Sequence, residues 1–138
     1  MVYRGDTWHV ADFKKLEVWR KAHALALTAH KAALSIRGSS YGSLRSQIIR
    51  AALSIPANIV EGREQNGDKA FARYLRHSLS SASELEYHMI AARDMRVMSE
   101  KNFVSVVAQV KDVRSMLFGL LKRLGEPGPP RDGDAGSQ

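Results

Sequence analysis

The sequence predicts an all-α protein: an antiparallel up-and-down four-helix bundle with a kinked second helix. Four segments carry apolar residues at helical spacing, short polar breaks separate them, and no stretch alternates as a half-buried strand would. Helices of about 25 residues span roughly 38 Å, and short breaks make consecutive helices antiparallel neighbours. We therefore expect the bundle to occupy residues 12–124. A flexible leader at 1–11 and a disordered Gly/Pro-rich tail at 125–138 should flank it.

The composition sets limits on the class of protein. The chain has 138 residues, of which 44% are hydrophobic, and this suits one domain with one core. It has no cysteine, which excludes disulfides and thiolate metal sites. The first residues hold no apolar signal region, and no run of 18 apolar residues occurs. We therefore expect a cytoplasmic protein that does not associate with membranes.

The first helix is predicted from about Asp12, as N-cap, to Arg37, and the stretch GSSYG should end it. Its largest apolar residues recur at helical spacing and predict which face lies against the core. That stripe consists of Leu16, Trp19, His23, Ala26/Leu27, His30 and Ala33/Leu34.

The second helix should run from about Ser43 to Glu61 or Glu64, and it contains a proline. Pro56 has no N–H to donate to the Ala52 carbonyl, so the helix is expected to bend there. Its predicted core face consists of Ile48, Ala52, Ile55 and Ile59, and a polar stripe on the opposite face consists of Arg50, Ser54, Asn58 and Glu61.

The third helix is predicted from a cap at Asp68 to about Met95, and the fourth from a cap at Ser99 to Leu124, with Gly125 as the residue after its end. The predicted core face of the third helix consists of Phe71, Leu75, Ser78, Ala82, Leu85, Met89 and Ala92. Glu86 projects toward this apolar side, where a carboxylate needs a partner. Arg50, Arg93 or one of the histidines of the first helix could serve.

The motifs that carry enzymatic chemistry are absent from the sequence. It has no P-loop, no G-x-G-x-x-G, no G-x-S-x-G, no H-E-x-x-H and no paired Glu-x-x-His. We therefore expect neither an enzyme nor a cofactor. One alternative is a metal site in the bundle core, built from His23, His30, Glu61 and Glu86.

The net charge of +7 favours a polyanionic partner. A phosphate-binding surface without base readout is one interpretation, and scattered solvated charge on a protein scaffold is the other. The candidate residues for nucleic-acid binding are Lys14, Lys15, Arg20, Lys21, Arg45, Arg50, Lys69, Arg73 and Arg76.

Four stretches of the chain resemble a known family. They are FKKLEVWRKAHALAL from Phe13, SQIIRAALSIPANIVEG from Ser46, FARYLRHSLSSASELEYHMIAARDM from Phe71 and MLFGLLKRL from Met116. Together they resemble the bacterial four-helix bundle proteins encoded within intervening sequences of 23S ribosomal RNA genes. That family is similar to the accessory proteins of diversity-generating retroelements, which form pentamers and bind nucleic acid and a reverse transcriptase.

The resemblance implies a homopentamer, an RNA or DNA partner, a protein partner such as a reverse transcriptase, and no catalytic activity. The positions that match the family motifs, for which it implies a structural or oligomeric role, are Arg50, Ser54, Pro56, Asn58, Glu61, Gly62, Glu84, Glu86 and Tyr87. The polar stripe of the second helix is then a candidate for contact between subunits.

Overall fold

The structure, a computed structural model, describes residues 16–126. It contains four helices: α1 (Glu17–Leu34), α2 (Gly42–Arg63), α3 (Asp68–Asp94) and α4 (Glu100–Arg123). A short 3-10 turn, Ser39–Tyr41, precedes α2. The predicted leader, the Asp12 cap, Lys14, Lys15 and the tail beyond 126 lie outside the described residues.

The predicted all-α class is confirmed, and residues 16–126 include no strand. The helices form a ring of neighbours, in which α1 packs on α2 and α4, and α3 packs on α2 and α4. The α2–α3 pair has the most extensive contact. Contacts between these two helices run in opposite order along the chain, since Ser54 meets Ser81 while Gly62 meets Phe71.

The core faces predicted for the second and third helices are confirmed. Ile48, Ala52, Ile55 and Ile59 are fully buried in α2. In α3 the buried residues include the whole predicted set, from Phe71 to Ala92. Burial of this apolar surface is the main force that holds the four helices together.

The core face predicted for the first helix is partly right, since Ala26 and Ala33 are buried and Leu16 and Trp19 pack, partly buried, against the core. His23 and His30 are exposed, and Leu27 and Leu34 leave 54% and 59% of their surface exposed. The residues that face the core are mostly small: Val18, Ala22, Leu25, Ala26, Ala29, Ala32 and Ala33. A stripe of alanines lets α1 approach its neighbours closely. The helix is therefore rotated so that the alanines, in preference to the larger side chains, lie against the core.

The predicted helix ends are partly right. Gly67 occupies the cap position of α3 and Asp68 is the first helical residue, so the Asp68 cap prediction is wrong by one residue. Ser99 caps α4 as predicted, since its hydroxyl accepts from the Asn102 amide at 3.1 Å. Gly125, with φ 84°, follows the end of α4, also as predicted.

The interface between α2 and α3 is held by small polar side chains. The Ser78 hydroxyl, fully buried, donates to the Ile55 carbonyl at 2.8 Å. The hydroxyls of Ser54 and Ser81 lie 2.8 Å apart across the same interface. Asn58 donates from its amide to the Ser54 carbonyl at 2.8 Å and to the Ser54 hydroxyl at 3.0 Å. Because small residues carry these bonds, the two helix backbones can come close.

Pro56 lies inside α2 and is buried. The two carbonyls directly before it, those of Ser54 and Ile55, each accept a side-chain hydrogen bond. The carbonyl that Pro56 leaves without its helical N–H donor is that of Ala52, so these two bonds lie next to the break and do not replace the lost hydrogen bond. The bend of α2 at Pro56 stays a prediction.

The end of α3 contains the one non-glycine residue at positive φ in the described chain, Arg96 at 63°. The Arg96 amide donates to the Arg93 carbonyl at 2.9 Å and the Val97 amide to the Ala92 carbonyl at 3.0 Å, which is the Schellman pattern.

We expect Arg96→Gly to raise the free energy of unfolding by about 1 kcal/mol, because glycine adopts this conformation without steric cost. Urea unfolding measures the change. Arg96→Ala is the control, which removes the charge but keeps the Cβ, and an equal gain in both variants would contradict the explanation.

Gly62 lies where α2 meets the start of α3. A Cβ there would lie 2.8 Å from the Tyr74 Cβ and 2.9 Å from the Phe71 ring. We expect Gly62→Ala to lower the free energy of unfolding by about 1–3 kcal/mol, because α2 and α3 would have to separate. The control is Gly119→Ala in α4, where a Cβ meets nothing within 4 Å. Alanine should there stabilise the helix by about 1 kcal/mol, and a similar loss at both glycines would contradict the steric argument.

Candidate nucleic-acid interface

The fold brings several of the candidate basic residues to one end of the bundle. The start of α1 carries Arg20 and Lys21, and the start of α3 carries Lys69, Arg73 and Arg76. All five are exposed. They lie at the same end because α1 and α3 both begin there. The contacts that the ends of α2 and α4 make with these two helix starts show this.

Those contacts are specific. The end of α2 lies against the start of α3, since Gly62 touches Phe71 and the Arg63 guanidinium lies 5.8 Å from the Phe71 ring centroid. The end of α4 also reaches the start of α3, because Arg76 forms an ion pair with Glu126. The ends of α2 and α4 therefore meet the start of α3 through side-chain contacts.

The end of α4 adds two cations that the sequence analysis did not include. Lys122 and Arg123 are exposed, and Arg123 lines a cavity of about 380 Å³ together with Leu16 and Val18 from the start of α1. Basic residues near the end of a helix are common for reasons of helix stability alone. The positions of Lys122 and Arg123 in the sequence therefore did not indicate a shared surface. The resulting surface, which we call the basic end, has the cations Arg20, Lys21, Lys69, Arg73, Arg76, Lys122 and Arg123, and the same helix ends also carry the carboxylates of Glu17, Glu61, Glu64, Asp68 and Glu126.

Arg45 and Arg50 do not belong to the basic end. Arg45 lies at the start of α2, at the opposite end of the bundle, and its guanidinium donates to the carbonyls of Ile36 at 2.8 Å and Gly38 at 2.9 Å. It therefore fastens the connection between α1 and α2. Arg50 is exposed and donates to the Gln47 side chain at 2.6 Å.

The polar stripe of α2 is divided between two environments. Ser54 and Asn58 are half-buried and bond within the chain, at the α2–α3 interface described above. Arg50 and Glu61 are exposed. Gly62 is buried under Phe71 and Tyr74. Of the motif residues of α2, Ser54 and Gly62 therefore contact α3 directly.

Glu86 pairs with a residue that none of the sequence alternatives named. Its carboxylate accepts from the Arg114 guanidinium of α4 at 2.7 Å, and the two side chains are 26% and 27% exposed. Arg93 instead contacts Asp94 at 3.1 Å and covers the Phe103 ring at 4.3 Å. Arg114 could not be predicted because it lies 28 residues away on another helix, and only the packing of α3 on α4 brings it close. Glu84 is exposed and lies 3.5 Å from His88.

The alternative of a metal site is not supported by the arrangement of its residues. His23 is exposed and stacks on Trp19, with ring centroids 5.1 Å apart, and His30 is exposed further along α1. Glu86 is engaged with Arg114. Within residues 16–126 no group of three histidine, aspartate or glutamate side chains is placed to hold a metal ion.

We expect the Glu86–Arg114 pair to contribute about 1 kcal/mol of coupling energy to stability, because both side chains are mostly shielded from solvent. A double-mutant cycle with Glu86→Gln and Arg114→Gln, measured by urea unfolding, checks this. The exposed pair Glu17–Arg20, 3.8 Å apart and about 60% exposed, is the matched control. Its coupling should be close to zero, and equal values for the two pairs would contradict the role of burial.

Comparison with solved structures shows the same fold elsewhere. A crystal structure at 1.70 Å of a protein of unknown function from the S23 ribosomal protein family of Bacteroides thetaiotaomicron VPI-5482 superimposes with a TM-score of 0.71 and 21% sequence identity. The match covers 76% of this chain and 98% of that one. No curated protein matches the sequence. Among the described helices, none is both long and apolar enough to cross a membrane.

The sequence itself carries the family signal across most of its length. A family model described as 23S rRNA-intervening sequence protein matches residues 14–119. The match spans all but the last turn of the four helices. The chain therefore belongs to the 23S rRNA-intervening sequence protein family.

Proposed function

We propose that this protein is a non-enzymatic, homo-oligomeric four-helix bundle that binds the phosphate backbone of RNA or DNA through the basic end. The observation that carries the proposal is the convergence of cations from separate helices on one end of the bundle. Lys69 and Arg73 come from α3, and Lys122 and Arg123 from α4. These positions are far apart in the sequence, and only the fold brings them to the same end of the bundle.

The cations of the basic end are suited to phosphate binding. Lys69, Arg73, Lys122 and Arg123 are exposed, and none of them takes part in the ion pairs found among the described residues. Their charge is available to a ligand at little desolvation cost. Exposed lysines and arginines that neutralise phosphates release counterions, and this drives association without reading bases.

The description of the family makes RNA the first ligand to test. It names 23S rRNA, although it does not state what the protein binds. Arg73 lies 5.3 Å from the Tyr74 ring centroid, and a ring beside a guanidinium is a modest platform for an unpaired base. The surface is otherwise short of aromatic rings, so backbone contact should dominate.

The oligomeric part of the proposal rests on two kinds of support. The family resemblance implies a homopentamer, and the monomer leaves several large apolar side chains more than half exposed. Ser54 and Asn58, the centre of the polar stripe expected to join subunits, bond within the chain instead. A contact between copies should then use a different surface.

The nucleic-acid part is tested with a triple variant of the basic end, Lys69→Gln, Arg73→Gln and Arg123→Gln. Loss of three phosphate contacts should weaken binding to structured RNA by at least about 10-fold near 0.15 M salt and reduce the log–log salt slope by roughly 2–3. Fluorescence anisotropy with labelled RNA and duplex DNA, at several salt concentrations, measures both quantities.

The matched control removes three exposed cations from the other end of the bundle: Arg37→Gln, Arg96→Gln and Lys101→Gln. Both triple variants carry the same net charge, so an effect of total charge would appear equally in the two. Retained affinity in the control supports the basic end as the site. Equal losses of affinity in the two variants would reject a localised site. If the unmodified protein does not bind nucleic acid, the alternative of a protein scaffold is favoured.

A further inference from the structure

The outward surface of α4 carries a depression that is lined by cations and an aromatic ring. It has a volume of about 360 Å³, and its lining residues are Lys111, Arg114, Ser115 and Phe118. Lys111 and Ser115 are exposed, whereas Arg114 and Phe118 are half-buried. The depression therefore offers positive charge, a hydroxyl group and an aromatic surface within one small space. None of its lining residues belongs to the basic end.

The depression continues toward the basic end along one side of α4. Lys111, Ser115, Phe118 and Lys122 follow one another at spacings of four, three and four residues. At about 100° per residue they fall within an arc of about 60°, so they form a row along the helix. The row is about 16 Å long, and its last member, Lys122, is one of the cations of the basic end. We call these four residues the α4 row.

Three carboxylates lie near the α4 row without cancelling its charge. Glu86 and Glu126 each form an ion pair with an arginine across the boundary between α3 and α4. Asp112 lies on another side of α4, where it lines a separate cavity against α1. Among residues 16–126, neither Lys111 nor Lys122 takes part in an ion pair. Their ammonium groups are therefore available to an anionic ligand.

Phe118 distinguishes the α4 row from an ordinary cationic surface. It is half-buried and packs against the hydrophobic core, so the ring is held in place while part of it stays accessible. A ring between two ammonium groups fits a ligand that combines a flat apolar group with negative charges on either side. An unpaired nucleotide strand has this combination, because each base presents a π-face and each linkage a phosphate. The bases of a duplex are stacked on one another and cannot reach the ring.

We propose that the α4 row binds an unpaired strand of nucleic acid, in which one base stacks on Phe118 and phosphates on either side contact Lys111 and Lys122. This deepens the proposed function and rests on it, because the strand continues from the row onto the basic end. The substrate class is thereby a single-stranded segment of RNA or DNA. Small-ligand sites have volumes of about 300–1,000 Å³, so the depression of about 360 Å³ has room for one base.

The test removes the ring without changing the charge. Phe118→Leu keeps apolar bulk and loses the stacking surface, so the affinity for labelled oligouridylate and oligothymidylate should fall about 5- to 100-fold. Both strands should respond, since every base has a π-face. The affinity for a labelled duplex DNA should change by less than about 2-fold, because the duplex contacts only phosphate-binding cations. Fluorescence anisotropy at one fixed salt concentration measures all three affinities.

Phe103→Leu is the matched control. Phe103 is also a half-buried phenylalanine of α4 that packs against the core. It lies 15 residues before Phe118, which is about 22 Å along the helix. Its substitution changes packing in the same way and should leave the affinity for every ligand unchanged. Phe118→Trp keeps an aromatic ring and should retain the affinity for single strands. Circular dichroism checks the helical content of each variant.

Lys111→Gln tests the phosphate contact independently of the ring. Lys111 is exposed, so this variant should fold. The log–log salt slope for the two single strands should fall by about 0.7, the value for one phosphate contact, and the slope for the duplex should stay unchanged. Lys101→Gln, at an exposed position at the start of α4, is the control and should change neither slope.

The possible outcomes separate this proposal from the proposed function. A protein that binds neither single strands nor duplex rejects both. If the protein binds, but Phe118→Leu loses no more affinity than Phe103→Leu or loses it equally for duplex and single strands, the α4 row is rejected and the basic end remains the site. If Phe118→Leu loses helical content, the salt slope of Lys111→Gln decides, and an unchanged slope for single strands overturns the proposal.

Discussion

The close approach of α2 and α3 is the constraint on which the rest of the structure depends. Gly62 leaves no room for a Cβ against Phe71 and Tyr74, and Ser78 is fully buried with its hydroxyl on the Ile55 carbonyl. Small residues at these positions let two long helices pack with their backbones near one another. Pro56 is buried in α2, and the carbonyls of the two residues before it accept hydrogen bonds from the Asn58 and Ser78 side chains.

This packing determines which surfaces remain for other molecules. Because Ser54 bonds to Ser81 of α3 and Asn58 bonds to Ser54, half of the polar stripe of α2 is engaged inside the chain. The apolar flank of α2, with Leu53, is turned outward beside α1 instead. The same arrangement of four helices brings the start of α3 and the end of α4 together, where Arg76 pairs with Glu126. The fold thus places the basic end apart from the exposed leucines of α1 and α2.

The separation of surfaces agrees with the proposed self-assembly and polyanion binding. Charged residues are costly at the centre of an interface and inexpensive at an exposed end, so the two activities need different parts of the bundle. In an oligomer, phosphate contacts from several copies would add, which raises affinity without any new base-specific contact.

The sequence by itself determined the number and approximate bounds of the helices and the core faces of α2 and α3. It did so because apolar periodicity, the Ser99 cap and Gly125 are local signals. On α1 it was right for Ala26 and Ala33 and wrong for His23 and His30, since an alanine stripe and a stripe with larger residues both have helical spacing, and only close packing selects between them. The partner of Glu86 and the grouping of Lys122 and Arg123 with Arg73 were decided by tertiary structure alone. Each joins residues from different helices, and no spacing along one chain encodes which helices become neighbours or how each is rotated.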